Sequence, residues 1–365
     1  MYRPENAGNP RERTEQQAVD FAIHSANLLI GWLPGRETYL RGKTVLEVGP
    51  GQDFGMPLIL MGFGARTILV DRYLCNWDPA FHSAYYRQLR EAVVGCFPGI
   101  DTSPLDAVIK AEAHVVDGMM LLWTGLEGVH EIPEGSVDVS YSNAVFEHLE
   151  GVYAAVQQLA RITRPGGLGF HQIDFRDHRD FDRPLEYLTI PRSELEAFLK
   201  DNFWSCGNAM RYGEFQTCFE VAGFSTRFEP NLFADDHYIQ EIRMRADRRY
   251  REMAPDAFRV LGGRFFLKKM EIPNNPREAD GRMQFLWNSL VDLDTRLIAV
   301  HDRISRLESN KENGRLGAEL VRAQQLLAEQ DCQMRRYERV GAHYVVRLAK
   351  LLKSLPHKLK SLFVK

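Results

Sequence analysis

Short apolar runs alternate with longer amphipathic stretches through most of this chain. Runs that fit strands lie at Thr44 to Val48, Thr67 to Asp71, Ala113 to Asp117, Val137 to Ser142 and Gly169 to Ile173. Two more lie near Ser225 to Pro230 and Arg264 to Lys268. The stretches between the first five are long enough for helices. Strand and helix in alternation predict an α/β fold with a doubly wound, mostly parallel sheet. Ahead of the first strand, Glu12 to Trp32 reads as an amphipathic helix. Cys218 to Phe224 reads as a helix end with a glycine cap before the sixth strand.

The pattern changes after about residue 280. Leu286, Leu290, Leu293, Leu297, Val300, Ile304 and Leu307 alternate in steps of four and three, an a/d seam that predicts a coiled coil. Ser309 to Gly314 breaks it, and Leu316, Leu320, Ala323 and Leu327 resume it. The other reading is that these leucines pack on the rest of the chain. The last segment mixes Leu351, Leu355, Leu359 and Phe363 with Lys350, Lys353, Lys358 and Lys360, split by Pro356. The expected organisation is therefore an N-terminal helical flank at 1–40, an α/β domain at 41–272, coiled-coil helices at 280–335 and a basic amphipathic tail at 336–365.

The first strand runs into Gly49-Pro50-Gly51-Gln52-Asp53-Phe54-Gly55, where glycines let backbone pass close to a ligand. The second strand ends at Asp71, and an acid at that place suits the vicinal hydroxyls of a ribose. A dinucleotide fingerprint is incomplete, because Phe54 stands where the third glycine belongs and Gly55 comes one residue late. Glu47, just before the turn, adds negative charge that suits a cationic ligand better than a pyrophosphate. S-adenosylmethionine (SAM) carries an amino group and a sulfonium and no phosphate.

Further motifs follow in order: Val137-Asp138, then Ser142-Asn143-Ala144-Val145-Phe146-Glu147-His148-Leu149, then Arg164-Pro165-Gly166-Gly167. With the glycine turn they resemble the class I SAM-dependent methyltransferases, most of all the small-molecule and sugar methyltransferases associated with polysaccharide biosynthesis. The resemblance covers roughly Arg41 to Ile173. It implies a Rossmann-like methyltransferase fold of seven strands, the last two antiparallel at the sheet edge, followed here by the helical extension. It also implies a cofactor site. Glu47, Gly49, Pro50 and Gly51 would hold the methionine end, Asp71 and Arg72 the ribose, and Asp117, Gly118 and Met119 the adenine. Asn143 would sit near the transferring methyl. Asp53 departs from the glycine that many such enzymes carry there.

Methyl transfer to a hydroxyl gains from a general base. His148, His171 and His178 are candidates. His178 is favoured, in a loop expected over the site, with Asp174 and Asp177 as orienting acids. The alternative for Asp174, Asp177 and His178 is a metal site, and no metal is expected because Asn143 stands where metal-dependent relatives carry an acid. Asn208, Arg211 and Tyr212 fall where an acceptor pocket is expected, and Tyr187, Trp204 and Tyr212 suit stacking on a sugar ring or packing in a core.

Net charge is −3, but nine Lys/Arg against Glu338 alone between Arg335 and Lys365 make that segment +8 and the rest −11. The catalytic region is therefore not basic, which argues against a nucleic-acid partner. An odd number of cysteines, five, without finger spacing, suits reduced thiols in a cytoplasmic setting. No secretory signal and no membrane span are expected. The overall expectation is a SAM-dependent O-methyltransferase for a sugar, polysaccharide or glycolipid-type acceptor. It would be a homo-oligomer through its coiled coil, peripheral on an anionic inner membrane face through its tail. The alternatives are a small-molecule O- or N-methyltransferase and a catalytically idle scaffold of the same fold.

Overall fold

The computed structural model describes residues 13–270, apart from 115, 252 and 254–257. The heptads at 286–307 and the basic tail at 336–365 lie outside the described residues. Two compact units divide the chain, one of residues 1–149 and 158–271, the other of 150–157 and 272–365. The first carries the whole sheet.

Seven strands form that sheet: β1 (Thr44–Val48), β2 (Arg66–Val70), β3 (Met119–Leu122), β4 (Val137–Asn143), β5 (Thr163–Asp174), β6 (Phe224–Phe233) and β7 (Val260–Lys269). Their order is β3-β2-β1-β4-β5-β7-β6. The first five run parallel, and β7 pairs antiparallel with both β5 and β6. From β1 the chain winds outward to β3, then crosses back to β4 on the other side of β1. That reversal opens a crevice beyond the carboxyl ends of β1 and β4, where ligands bind in open α/β sheets.

Central β1 is buried from Val45 to Val48, as expected for a strand covered on both faces. One layer over it comes from α1 (Glu15–Trp32), α2 (Gly55–Gly62) and α3 (Pro79–Cys96). Helix α1 starts at a capping box in which Thr14 and Gln17 satisfy each other's backbone N–H groups. Ala18, Val19, Ala22, Ala26, Leu29 and Ile30 give it one apolar stripe, all in the core. A Cβ at Gly55 would meet Tyr85 Oη at 1.9 Å and Ala22 Cβ at 2.9 Å, so only glycine lets the three helices meet there. Among the described residues the remaining α-helices are α4 (Ser103–Ala111), α5 (Val152–Ile162), α6 (Arg192–Cys206), α7 (Tyr212–Val221), α8 (Asp236–Arg245) and α9 (Arg248–Arg251). Among the described residues no helix is long and apolar enough to cross a membrane.

The third strand is not where the sequence pattern places it. Met119 to Leu122 pair with Thr67 to Val70. Asp117 and Gly118 precede β3, with Gly118 at φ +86 and its carbonyl accepting from Thr67 N at the start of β2. Both therefore lie at the amino edge of the sheet, away from the crevice.

Candidate active site

The glycine turn sits at the mouth of the crevice. Gly49 has φ +70, and a Cβ there would lie 2.4 Å from Val145 Cγ2, so glycine is required by conformation and by space. Gly51 has φ +78, with no heavy atom within 4 Å of where a Cβ would stand. Backbone is thus presented bare to whatever fills the crevice. Asp53, in place of a further glycine, accepts from Gly55 N and from Tyr85 Oη, tying the turn to α2 and α3. Pro50 joins the two glycines.

Glu47 is buried at the carboxyl end of β1, and its Oε2 has no hydrogen-bond partner. Loss of water, then the nearby negative Asp53, pushes its carboxyl up to about 8. A buried carboxyl without a partner is costly, and one beside a bare glycine turn fits a cationic ligand group. The amino group of SAM meets that requirement. Asp71 follows β2 at the same edge, its N–H donating to Leu122 O and its Oδ1 accepting from Tyr73 N. Burial raises its carboxyl. Arg72 is ion-paired with Glu127.

The adenine end differs from expectation. Asp117, Gly118 and Met119 cannot reach the ligand edge, since the first two precede β3 and Met119 opens it against the core. The residue that leaves β3 at the crevice is Trp123, 59% exposed. The run Met119-Met120-Leu121-Leu122 ending at Trp123 is the signal that would have found it.

Across the crevice, Asn143 ends β4 and pairs in register with Gln172 of β5. Ala144 turns the chain at φ +55, and Phe146–His148 forms a single 3-10 turn. Glu147, which the motif reading passed over, is buried there. Its Oε1 accepts from Asp174 N at 3.1 Å, and burial, with a smaller push from Asp174, raises it to about 8. His148 follows, its imidazole lowered to about 4 by burial and then by His178.

His178 Nε2 lies 3.2 Å from Asp174 Oδ2, and its ring is 5.7 Å from that of His148. Burial acts to raise Asp174, but hydrogen bonds from His178 and Arg176 outweigh it and hold the carboxylate well below its usual range. The structure thus brings Asp174, His178, His148 and Glu147 together beside Asn143. Asp177 does not join them: it is held by Arg179 and Cys206. His171 is fully buried between Ser140 Oγ and Ser142 Oγ, pushed down to about 3 by burial, and is a neutral core group rather than a base.

The expected acceptor residues are structural in their described contacts. Arg211 is 1% exposed. Its Nη1 donates to Phe175 O and Tyr187 Oη, and its Nη2 to Phe258 O and Val260 O. A guanidinium so engaged does not grip a substrate. Asn208 Nδ2 donates to Phe146 O and Leu149 O, bracing the Glu147–His148 turn from below. Tyr212 stacks on Phe228 at 4.7 Å and 3°. Tyr187 is a core residue whose hydroxyl donates to Phe175 O. Trp204 lies within α6, and its side chain is outside the described set.

The model of the methyltransferase domain family matches residues 85–170. The match begins in α3 and ends in β5, so it includes Asn143 to His148 but not the glycine turn. No curated protein matches the chain at a significant level. Among solved structures, a SAM-dependent methyltransferase from Mesorhizobium loti is 13% identical with a TM-score of 0.37, over 68% of this chain and 100% of that one. An arsenic(III) SAM methyltransferase from Chlamydomonas reinhardtii is 16% identical with a TM-score of 0.37, over 69% of this chain and 74% of that one. Such distant likenesses carry no substrate across. Residues 85–170 thus carry a methyltransferase domain, which supports an enzyme and implies S-adenosylmethionine as its methyl donor.

Proposed function

We propose that the enzyme methylates oxygen, with a sugar or glycan hydroxyl as acceptor. The observation that carries this reading is the Asp174–His178 pair at the carboxyl end of β5. Bound in the crevice, SAM supplies an electrophilic methyl group. Glu47 and the turn of Gly49, Pro50 and Gly51 hold its methionine end, Asp71 with Arg72 its ribose, and Trp123 its adenine side. Asn143 flanks the methyl.

A hydroxyl keeps its proton at neutral pH, so its oxygen becomes a competent nucleophile only as a base takes that proton. Asp174, held ionised 3.2 Å from Nε2 of His178, favours the tautomer with the proton on Nε2 and the lone pair on Nδ1. Nδ1 is then the atom that receives the acceptor's proton. His148, neutral in the working pH range, adds no competing charge beside it. The sugar class is supported by Phe181, 57% exposed and flanked by His178 at 5.6 Å and by the Arg176 guanidinium at 4.5 Å. An exposed ring beside a base suits the apolar face of a sugar.

His178→Ala tests the reading. Turnover should fall about 100-fold or more with SAM affinity nearly unchanged. Unaltered turnover removes the base, and a nitrogen- or carbon-methylated product removes the oxygen acceptor. A small phenol or alcohol as substrate would keep the base and remove the glycan. On sequence alone we also propose self-association through 286–307 and adsorption of 336–365 to anionic lipid.

A further inference from the structure

Beneath the glycine turn, on the side away from Asn143, two loops and the start of a helix bring a thiol and two imidazoles together. Cys75 comes from the β2–α3 loop, His82 from the first turns of α3, and His114 from the α4–β3 loop. One ligand atom from each lies within 4.8 Å of the others. His82 is fully buried and His114 is 7% exposed, while Cys75 is half-buried and forms the open side.

We propose that Cys75, His82 and His114 form a binding site for a zinc-type divalent ion. Two imidazoles with one thiolate are donors that zinc takes readily, and hard cations do not. Tetrahedral zinc with ordinary Zn–S and Zn–N bonds sets its sulfur and nitrogen donors about 3.5 Å apart. Cys75 Sγ and His114 Nε2 already stand 3.6 Å apart. A backbone oxygen is at hand for the fourth position: Gln52 O, 3.1 Å from His82 Nε2.

The protons balance. His82 accepts from Asp78 N at Nδ1, 2.8 Å, so its own proton is on Nε2 and points to Gln52 O. Metal at Nε2 moves that proton to Nδ1. The Asp78 N–H that faces Nδ1 must then turn away from the ring, so the start of α3 adjusts as the ion enters. His114 Nδ1 lies 3.1 Å from Tyr86 Oη, which serves as its outer-shell partner. Cys75 binds as thiolate, so one proton leaves to solvent for each ion bound. Filled, the site ties the glycine turn through Gln52 to the loop that carries Asp71, and stiffens the floor of the crevice.

The test uses chelator-treated full-length protein. Equilibrium dialysis against Zn²⁺ should give one equivalent bound, with one proton released and a raised melting temperature. Co²⁺ in its place should show tetrahedral d–d bands and a thiolate-to-cobalt charge-transfer band. Cys75→Ser should abolish the charge-transfer band, and His114→Ala should weaken Zn²⁺ binding by at least about a hundredfold. Cys96→Ser, at an exposed thiol, should change neither. Absence of Zn²⁺ binding by the wild type overturns the proposal. So does a cobalt spectrum without thiolate character, which needs no variant to fold. Binding of unchanged affinity in both site variants places the ion elsewhere and overturns it equally.

Discussion

Glu47 links the pH to the cofactor. With the crevice empty its carboxyl titrates near 8, raised by burial and by Asp53. To pair with an ammonium group it must ionise first. At pH 7 about one molecule in ten is ionised, so binding there carries a cost of about 1.4 kcal/mol, and about twice that at pH 6. A raised carboxyl pKa therefore means that SAM binding expels a proton below pH 8. Affinity should rise about tenfold per pH unit from 6 to 7, then level off near 8. Above that, the ligand's own α-amino group, with an ordinary pKa of about 7.7–8.0, loses its charge and affinity should fall again. Calorimetry in buffers of different ionisation enthalpy reads both the affinity and the released proton. Glu47→Gln should remove the rise between 6 and 8 and weaken binding at pH 8 by about 1.5–3 kcal/mol, the range for a hydrogen bond to a charged group. A wild-type affinity that is flat from pH 6 to 8, or a variant that binds as well as wild type at pH 8, would refute this role for Glu47.

Other consequences are independent of it. Asp71→Ala should weaken SAM by about 2–3 kcal/mol with NAD failing to compete, and an unchanged calorimetric affinity removes Asp71 from the ribose. Arg211→Met should destabilise the fold by about 3–5 kcal/mol, because it strands Phe258 O and Val260 O, and denaturant titration should show it without any selective rise in acceptor KM. His171 stays neutral when folded but takes a proton when unfolded, so between pH 6 and 5 it should remove stability at up to about 1.4 kcal/mol per unit. His171→Gln should flatten that slope, and an unchanged slope in urea midpoints counts against it. The heptads at 286–307 predict an oligomer that light scattering should detect, and removal of everything after Asp280 should leave a SAM-binding monomer. Flotation with anionic vesicles should show salt-sensitive binding that is lost with residues 336–365.

Much of the fold is legible because central strands are nearly continuous apolar runs bounded by turn residues. Thr44 to Val48 begins and ends where its apolar run does, and the glycine turn follows at once. The sequence pattern misplaces the third strand because Ala113 to Val116 and Met119 to Leu122 both read as strand-like runs, one on each side of Asp117-Gly118. The pairing of Leu122 with Val70 decides between them, and no local pattern shows it. Arg211 misleads for a related reason. Its partners Phe175, Tyr187, Phe258 and Val260 are far away in the chain, and an arginine after a glycine–asparagine stretch looks exposed. Glu147 was hidden inside its own motif, where only burial distinguishes a capping acid from one held against Asp174. Cys75, His82 and His114 have no finger spacing, since two separate loops and the start of α3 rather than one hairpin bring them together.

Oxygen methylation assisted by the Asp174–His178 pair is tested most directly by product analysis. Methyl-labelled SAM would be incubated with wild-type and His178→Ala protein and a panel of nucleotide sugars and lipid-linked glycans. Mass spectrometry would read label incorporation, and heteronuclear NMR the labelled atom. One labelled O-methyl group on a glycan, formed by wild type and about 100-fold more slowly by the variant, is the predicted result. Label on nitrogen or carbon, or bound SAM that transfers to no glycan, would contradict it.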